Sequence, residues 1–504
     1  MLRLRVIRYA GLAASVLLAV AAGLGGARPD GDVASTPAGI ARGPYGAVIL
    51  AGWLAGTIVL SWAWWAARDR VPSRRWALVT ITLWLLPFLV VPPAGSRDVY
   101  SYACQGHLFV NGLSPYEYGV GTLPCPWIDA VSPIWRDTAA PYGPLFVLLT
   151  AGAVLLGGSL TAVVLLLRLT AALGVVIIAV CLPVLARRCG IPAQRALWVA
   201  LAGPLVGPHL LGGPHNDALM IALIVAGLAL VAGSGRPAVQ LAAGALLGLA
   251  AAVKITAVVA LPFAALIAYR QVSGRGAAVG AGARVITAAG GALLAVTAAS
   301  GLGLGWLAGV AHAGDLIQFT SPPTAVGMTV TYLGRPLVPG FDAVPAVRRL
   351  ALGLLAVLLI GLWLRCARRT GDAVPAALHG AGLAFAATIA LAPAVHPWYV
   401  LTPLVLIAAT TRRTGLIMAA ATGGAFLVLP DGGGLARFVK FPGAPLMTAL
   451  IAVLLVRHLR RPAAGHPRPR SAGRAPVPEI GGPGGPGARL IGSRSAQGSP
   501  IGPD

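Results

Sequence analysis

Asp98 stands in the densest run of chemistry-bearing side chains in the chain: Ser96-Arg97-Asp98-Val99-Tyr100-Ser101-Tyr102, continuing to Gln105-Gly106-His107 and Gly112-Leu113-Ser114-Pro115-Tyr116. The run follows directly on an apolar stretch, so a helix end at the membrane surface is expected to hold the carboxylate. A carboxylate so placed can accept a proton from a hydroxyl, and Tyr100 and Tyr102 can stack on and hydrogen-bond to sugars. The plainer reading is a loop acid paired with Arg97 in an aromatic belt. The density of Tyr, Gln, Asn and Gly favours the first.

Three further clusters carry polar groups at the edge of apolar sequence. Gly212-Gly213-Pro214-His215-Asn216-Asp217 joins two apolar runs; Asn216 or Asp217 can cap the helix that follows, but three such residues in a row exceed what a cap needs. Lys254 sits between two short apolar runs and is one of only two lysines, with Lys440, among 38 basic residues. Its compact ammonium either snorkels to the interface or meets a phosphate as a point charge. Val395-His396-Pro397-Trp398-Tyr399 opens another run. Its Pro and its Trp–Tyr pair are ordinary for a membrane helix start, while His396 can serve as a base or phosphate ligand. Gly301-Leu302-Gly303-Leu304-Gly305 has no strand before it and is no dinucleotide motif.

The elements that must position these residues are membrane helices. Of 504 residues 57% are apolar and 10% charged, and the mean hydropathy is +0.82. Such a composition excludes a soluble enzyme, a disulfide scaffold and a disordered chain. The formal charge of +24 is not a nucleic-acid footprint, because the Arg clusters alternate with apolar runs and no soluble basic domain is present. Apolar runs near 6–24, 46–67, 76–93, 169–186, 194–211, 218–233, 237–253, 255–269, 285–311, 350–364, 377–394, 397–411, 414–430 and 443–457 predict an all-α polytopic membrane protein of about 14 transmembrane helices. A re-entrant or interfacial segment is expected near 144–167. The first run is read as a retained helix rather than a signal peptide.

With Arg3, Arg5 and Arg8 inside, every Arg cluster falls on the cytoplasmic side. Both termini are then cytoplasmic, in a multi-pass plasma-membrane protein. Of the fourteen acids only Asp69, Asp372, Glu479 and Asp504 fall inside, so polar chemistry is expected outside, on loops 94–143, 212–217 and 312–349. Residues 1–461 form the membrane domain, and 462–504 a basic, disordered cytoplasmic tail rich in Pro, Gly and Ser. Cys104 and Cys125 share an outer loop in an oxidising compartment, where a disulfide is expected. No metal-site spacing is present.

Asp98-Val99-Tyr100-Ser101-Tyr102, Gly112-Leu113-Ser114-Pro115-Tyr116, Pro141-Tyr142-Gly143-Pro144-Leu145 and Gly213-Pro214-His215-Asn216-Asp217 resemble, over about residues 45–460, the actinobacterial α-1,6-mannosyltransferases of the GT-C glycosyltransferase superfamily. The resemblance implies a GT-C-like bundle that uses polyprenyl-phosphate mannose to extend the α-1,6-mannan of lipomannan and lipoarabinomannan. It implies Asp98 as base and Lys254 as the holder of lipid phosphate. His215, Asp217 and His396 complete the catalytic group, and Arg97, Tyr100, Tyr102, Tyr142, Asn216, Trp398 and Tyr399 line the substrate. The superfamily's paired acids are replaced by Arg97-Asp98, so neither a metal nor any other cofactor is assigned. The expected partners are the lipid donor, the mannan acceptor, the bilayer and other envelope-synthesis proteins, with no nucleic acid. Another lipid-linked sugar such as arabinofuranose remains an alternative. A lipid or sugar transporter is the rival of another class, although transporters place ionisable groups near the midplane of repeated halves.

Overall fold

The computed structural model describes residues 2–30, 36–123, 125–312, 316–435 and 439–460. The helices are α1 (Leu2–Gly25), α2 (Pro37–Arg42), α3 (Gly46–Ala67), α4 (Arg74–Leu85), α5 (Asp98–Val110), α6 (Pro144–Gly157), α7 (Leu160–Arg188), α8 (Ala193–Leu201), α9 (Asp217–Gly233) and α10 (Pro237–Val253). They continue with α11 (Leu261–Arg270), α12 (Arg275–Ser300), α13 (Trp306–His312), α14 (Pro322–Gly334), α15 (Val344–Ala367), α16 (Ala373–Leu391), α17 (Leu401–Thr410), α18 (Gly415–Phe426) and α19 (Lys440–Leu459). Among the described residues the only β pairing is an isolated bridge between Val428 and Gly434. The chain is an all-α polytopic membrane protein. One compact unit spans Met1–Val453, and a second begins at Leu454; the tail expected from residue 462 lies outside the described residues.

Seven described helices are long and apolar enough to cross a bilayer, or eight if Val206–Gly212 and α9, bent by 101°, count as one span. Several of the expected fourteen runs are shorter helices, because polar or Pro-containing breaks cut them. Lys254 ends α10 before a 3-10 turn at Ile255–Ala260. A 3-10 turn at Pro397–Val400 precedes α17. The expected run 285–311 divides into α12 and α13. The expected segment at 144–167 is also two pieces: α6 ends at the left-handed Gly158, and Ser159 accepts from Ala162 N to cap α7. The expected loop 94–143 contains α5, and the Cys104–Cys125 disulfide pins its distal part to that helix. The expected loop 312–349 contains α14.

Helix ends gather at two poles, each tied by an arginine. At one, Arg195 joins three connections by donating to Asp69 Oδ1 (2.9 Å), Arg412 O (2.7 Å) and Thr414 Oγ1 (3.2 Å). At the other, Arg168 donates to Leu89 O (2.9 Å), Leu211 O (2.9 Å) and Gly212 O (3.0 Å). These are carbonyls at or beyond helix ends, where no intrahelical N–H is available. Backbone of that kind is stable at membrane depth only when protein or enclosed water satisfies it. Arg168 is 6% exposed.

Between the poles the helices approach closely through small residues. A Cβ on Gly244 or Gly248 of α10 would lie 2.3 Å from Val285 O or 2.2 Å from Ala289 O of α12. Large indoles lock other pairs: Trp64 Nε1 donates to Trp198 O (3.1 Å) and Trp198 Nε1 to Trp64 O (2.8 Å), joining α3 to α8. Arg168→Leu leaves three buried carbonyls unpaired at about 1–3 kcal/mol each. The expected result is a lower thermal midpoint of the purified protein in detergent, by several degrees or more.

Candidate active site

The Arg168 pole gathers the polar clusters. Ser96 Oγ accepts from Asp98 N (3.1 Å), which fixes the first turn of α5. Positions 98, 102 and 105 share one face of that helix, following the i, i+4, i+7 pattern. Asp98 and Tyr102 both border one small cavity. Tyr142, Asn216, Asp217, Lys254, Trp135, His396, Trp398 and Tyr399 also line it. Asp98, Trp135, His396 and Trp398 also border a neighbouring cavity walled by the Gly432–Gly434 turn.

Lys254 Nζ donates to both oxygens of Asp217, each at 3.0 Å. It also stands 4.1 Å from the Tyr399 ring centre, a cation–π contact. The pair joins the C-terminal end of α10 to the first residue of α9. Side-chain exposure is 12% for Lys254 and 3% for Asp217, so two charges are committed to each other in the interior. Asn216 precedes α9, and no side-chain bond caps that helix. Both polar atoms of its buried amide are without a protein partner although the residue borders the cavity. The capping role open to these residues in the sequence is thus taken by neither.

His215 is buried behind the cavity wall. Its Nδ1 lies 3.2 Å from Tyr102 Oη and 3.7 Å from Asp98 Oδ2. Its ring stacks on Trp398 with centroids 4.0 Å apart, and His396 stacks on the same indole at 4.7 Å. Tyr102 packs edge-to-face on Tyr142 at 5.2 Å. Asp98 lies on α5, outside the candidate spans. Burial raises its carboxyl to about 6, against the opposing pull of the Ser96 hydrogen bond, the Lys254 charge and the Trp135 indole. A carboxylate tuned this way can take a proton near neutral pH.

A family model described as Alpha-(1->6)-mannopyranosyltransferase, N-terminal domain, matches residues 8–270. The chain belongs to this family. A second model, MptB C-terminal domain, matches residues 323–457. The chain is 35% identical over 368 residues to Alpha-(1->6)-mannopyranosyltransferase A of Mycobacterium tuberculosis, covering 70% of this chain and 69% of that one. It is 34% identical over 466 residues to a probable alpha-(1->6)-mannopyranosyltransferase of Mycolicibacterium smegmatis, with 84% and 82% covered. Alpha-(1->6)-mannopyranosyltransferase B of Corynebacterium glutamicum is 29% identical over 413 residues, with 75% and 68% covered. No solved structure gives a significant match. The protein is an enzyme, a multi-pass membrane glycosyltransferase.

In this mannopyranosyltransferase-family member, most residues singled out in the sequence meet at one place, but two are turned elsewhere. Tyr100 is fully buried with its hydroxyl donating to Ala27 O. It lies about 200° around α5 from Asp98 and does not border the cavity. Arg97 donates to Ala130 O at 3.1 Å and lines the neighbouring cavity. Trp135 and His209 are additions. Trp135 sits in a long loop whose closure leaves no periodic signal. His209 is an interior residue of an apolar run, and its ring lies 5.1 Å from Trp398 and 5.5 Å from His215. Among the described residues no three His, Cys, Asp or Glu side chains form a metal-holding group.

The buried pair gives a stability test. Lys254→Met strands the Asp217 carboxylate and is expected to cost about 3–5 kcal/mol. Adding Asp217→Leu to Lys254→Met is expected to recover part of that loss. Thermal or denaturant unfolding of the single and double variants in detergent checks it.

Proposed function

We propose that this cavity transfers mannose from polyprenyl-phosphate mannose to a growing α-1,6-mannan of the lipomannan type, by one inverting displacement. The observation that carries the reading is Asp98 facing the Lys254–Asp217 pair across a single cavity at the helix breaks. The family relatives, named as α-1,6-mannopyranosyltransferases, support the sugar and the linkage. The Arg-rich connections meet at the opposite pole, around Arg195, which supports an active site on the outer face of the plasma membrane.

The acceptor hydroxyl oxygen forms a bond to the anomeric carbon, and its proton passes to Asp98. The bond from that carbon to the donor phosphate oxygen breaks, and its electron pair leaves with the phosphate. Lys254, held charged and in place by Asp217, stabilises the departing phosphate. The Asn216 amide, unpartnered in the protein, and His396 contribute hydrogen bonds beside it. Both Asp217 oxygens accept from Lys254, so Asp98 is the carboxylate placed to act on the acceptor, and a second carboxylate nucleophile for double displacement is not at hand. Tyr142, only partly buried at the cavity, supplies an aromatic ring against which a sugar packs. His215 orients Asp98 and Tyr102 from behind. The positive charge that this reading places at the leaving phosphate is the Lys254 ammonium.

Purified protein incubated with polyprenyl-phosphate mannose and a synthetic α-1,6-dimannoside is expected to yield trimannoside. Asp98→Asn is expected to lower transfer by about 100-fold or more, the usual contribution of a general base. Below about pH 6 Asp98 is protonated and cannot accept the proton. The wild-type rate should then fall by about 10-fold per pH unit, with little change from pH 7 to 8. Full transfer by Asp98→Asn refutes the base.

A further inference from the structure

A groove lies beside the reaction cavity, and the chemistry above leaves it without a role. It offers about 370 Å³, within the size range of ligand sites. Trp135, Pro141 and Leu316 line both the groove and the reaction cavity, so the two lie side by side with these residues between them.

The groove is a built surface. Segments 115–121 and 136–140 lie side by side, with Gly121 N donating to Arg136 O and Ala140 N to Pro115 O, each at 2.8 Å. Gly119 permits this approach: a Cβ there would stand 2.5 Å from Arg136 O. The pairing places Glu117 and Asp137 on the same groove, both exposed. Tyr116 also lines it and is 4% exposed, backed by Trp306. Its hydroxyl has no protein partner.

We propose that this groove is the subsite for the acceptor glycan, holding the sugars that precede the one under attack. Two carboxylates repel a phosphate, which assigns the lipid donor to the Lys254 side. The same carboxylates accept hydrogen bonds from the many hydroxyls of a neutral oligosaccharide, and Trp135 offers an aromatic ring where the two cavities meet. An acceptor chain thus runs from Asp98 past Trp135 and out over Glu117 and Asp137. The proposal rests on the glycosyl-transfer reading and adds where the acceptor lies and why its length matters.

The test compares α-1,6-linked dimannoside and tetramannoside as acceptors for the full-length protein in detergent, with polyprenyl-phosphate mannose as donor. For Glu117→Gln combined with Asp137→Asn, the tetramannoside-to-dimannoside ratio of kcat/KM is expected to fall about 10-fold, the effect of weakening one or two hydrogen bonds. An unchanged ratio overturns the proposal. Saturation-transfer NMR of tetramannoside on the protein without donor provides a second readout, in which the variant is expected to lose contacts seen with the wild type. If the wild type transfers no mannose, the glycosyl-transfer reading fails. The NMR comparison still decides the groove, since equal contacts in wild type and variant overturn it. Exposed side chains are changed, and Glu117→Gln alone gives the same sign of effect should the double variant fold poorly.

Discussion

A backbone that breaks its helices inside a membrane must satisfy the freed carbonyls within the protein, because hydrocarbon offers no partner. Arg168 does this for three carbonyls at once, those of Leu89, Leu211 and Gly212. Its guanidinium, presented from within α7, satisfies the carbonyls at the end of the Val206–Gly212 helix where the chain stops being helical over 213–216. Much of the site depends on that permission. His215, Asn216 and Asp217 stand in or beside the break at 212–217, Lys254 in the break after α10, and His396 in the break before α17. An uninterrupted bundle would bury these side chains against lipid or point them along helix faces. The same breaks explain why the chain has fewer long spans than apolar runs.

Within the site, charge is partitioned rather than pooled. Lys254 and Asp217 neutralise each other at 3.0 Å, which avoids the cost of a lone buried charge while leaving ammonium density beside the cavity. Asp98 is kept apart from that pair, and burial raises its carboxyl to about 6. One group is thereby fixed as a cation and another poised near neutrality. Trp398 holds the arrangement together, with the rings of His215 and His396 stacked on it.

Much of this was legible in the sequence, for a physical reason. A polar residue that interrupts an apolar run is conspicuous, so Asp98, His215, Asp217, Lys254 and His396 could be read without any structure. The shared outer loop of Cys104 and Cys125 likewise pointed to the disulfide that the structure contains. Helical register was harder to use. Tyr100 lies in the same motif as Asp98 and Tyr102, yet the 100° step between residues turns it towards Ala27. Trp135 comes to the site by closure of a loop between α5 and α6, which periodicity does not encode. His209 is hidden by its apolar neighbours. The stretch 144–167 looks continuous in the sequence because Gly158-Ser159, a helix stop followed by a cap, is a brief signal inside a long apolar run.

The central claim is a single displacement with Asp98 as the base, and product stereochemistry tests it most directly. Protein supplied with β-linked polyprenyl-phosphate mannose and a mannoside acceptor should form a new bond whose anomeric configuration NMR can assign. An α-linked product, formed with inversion, is the predicted result. A β-linked product would mean retention through a covalent intermediate, and would contradict the roles given to Asp98 and Asp217.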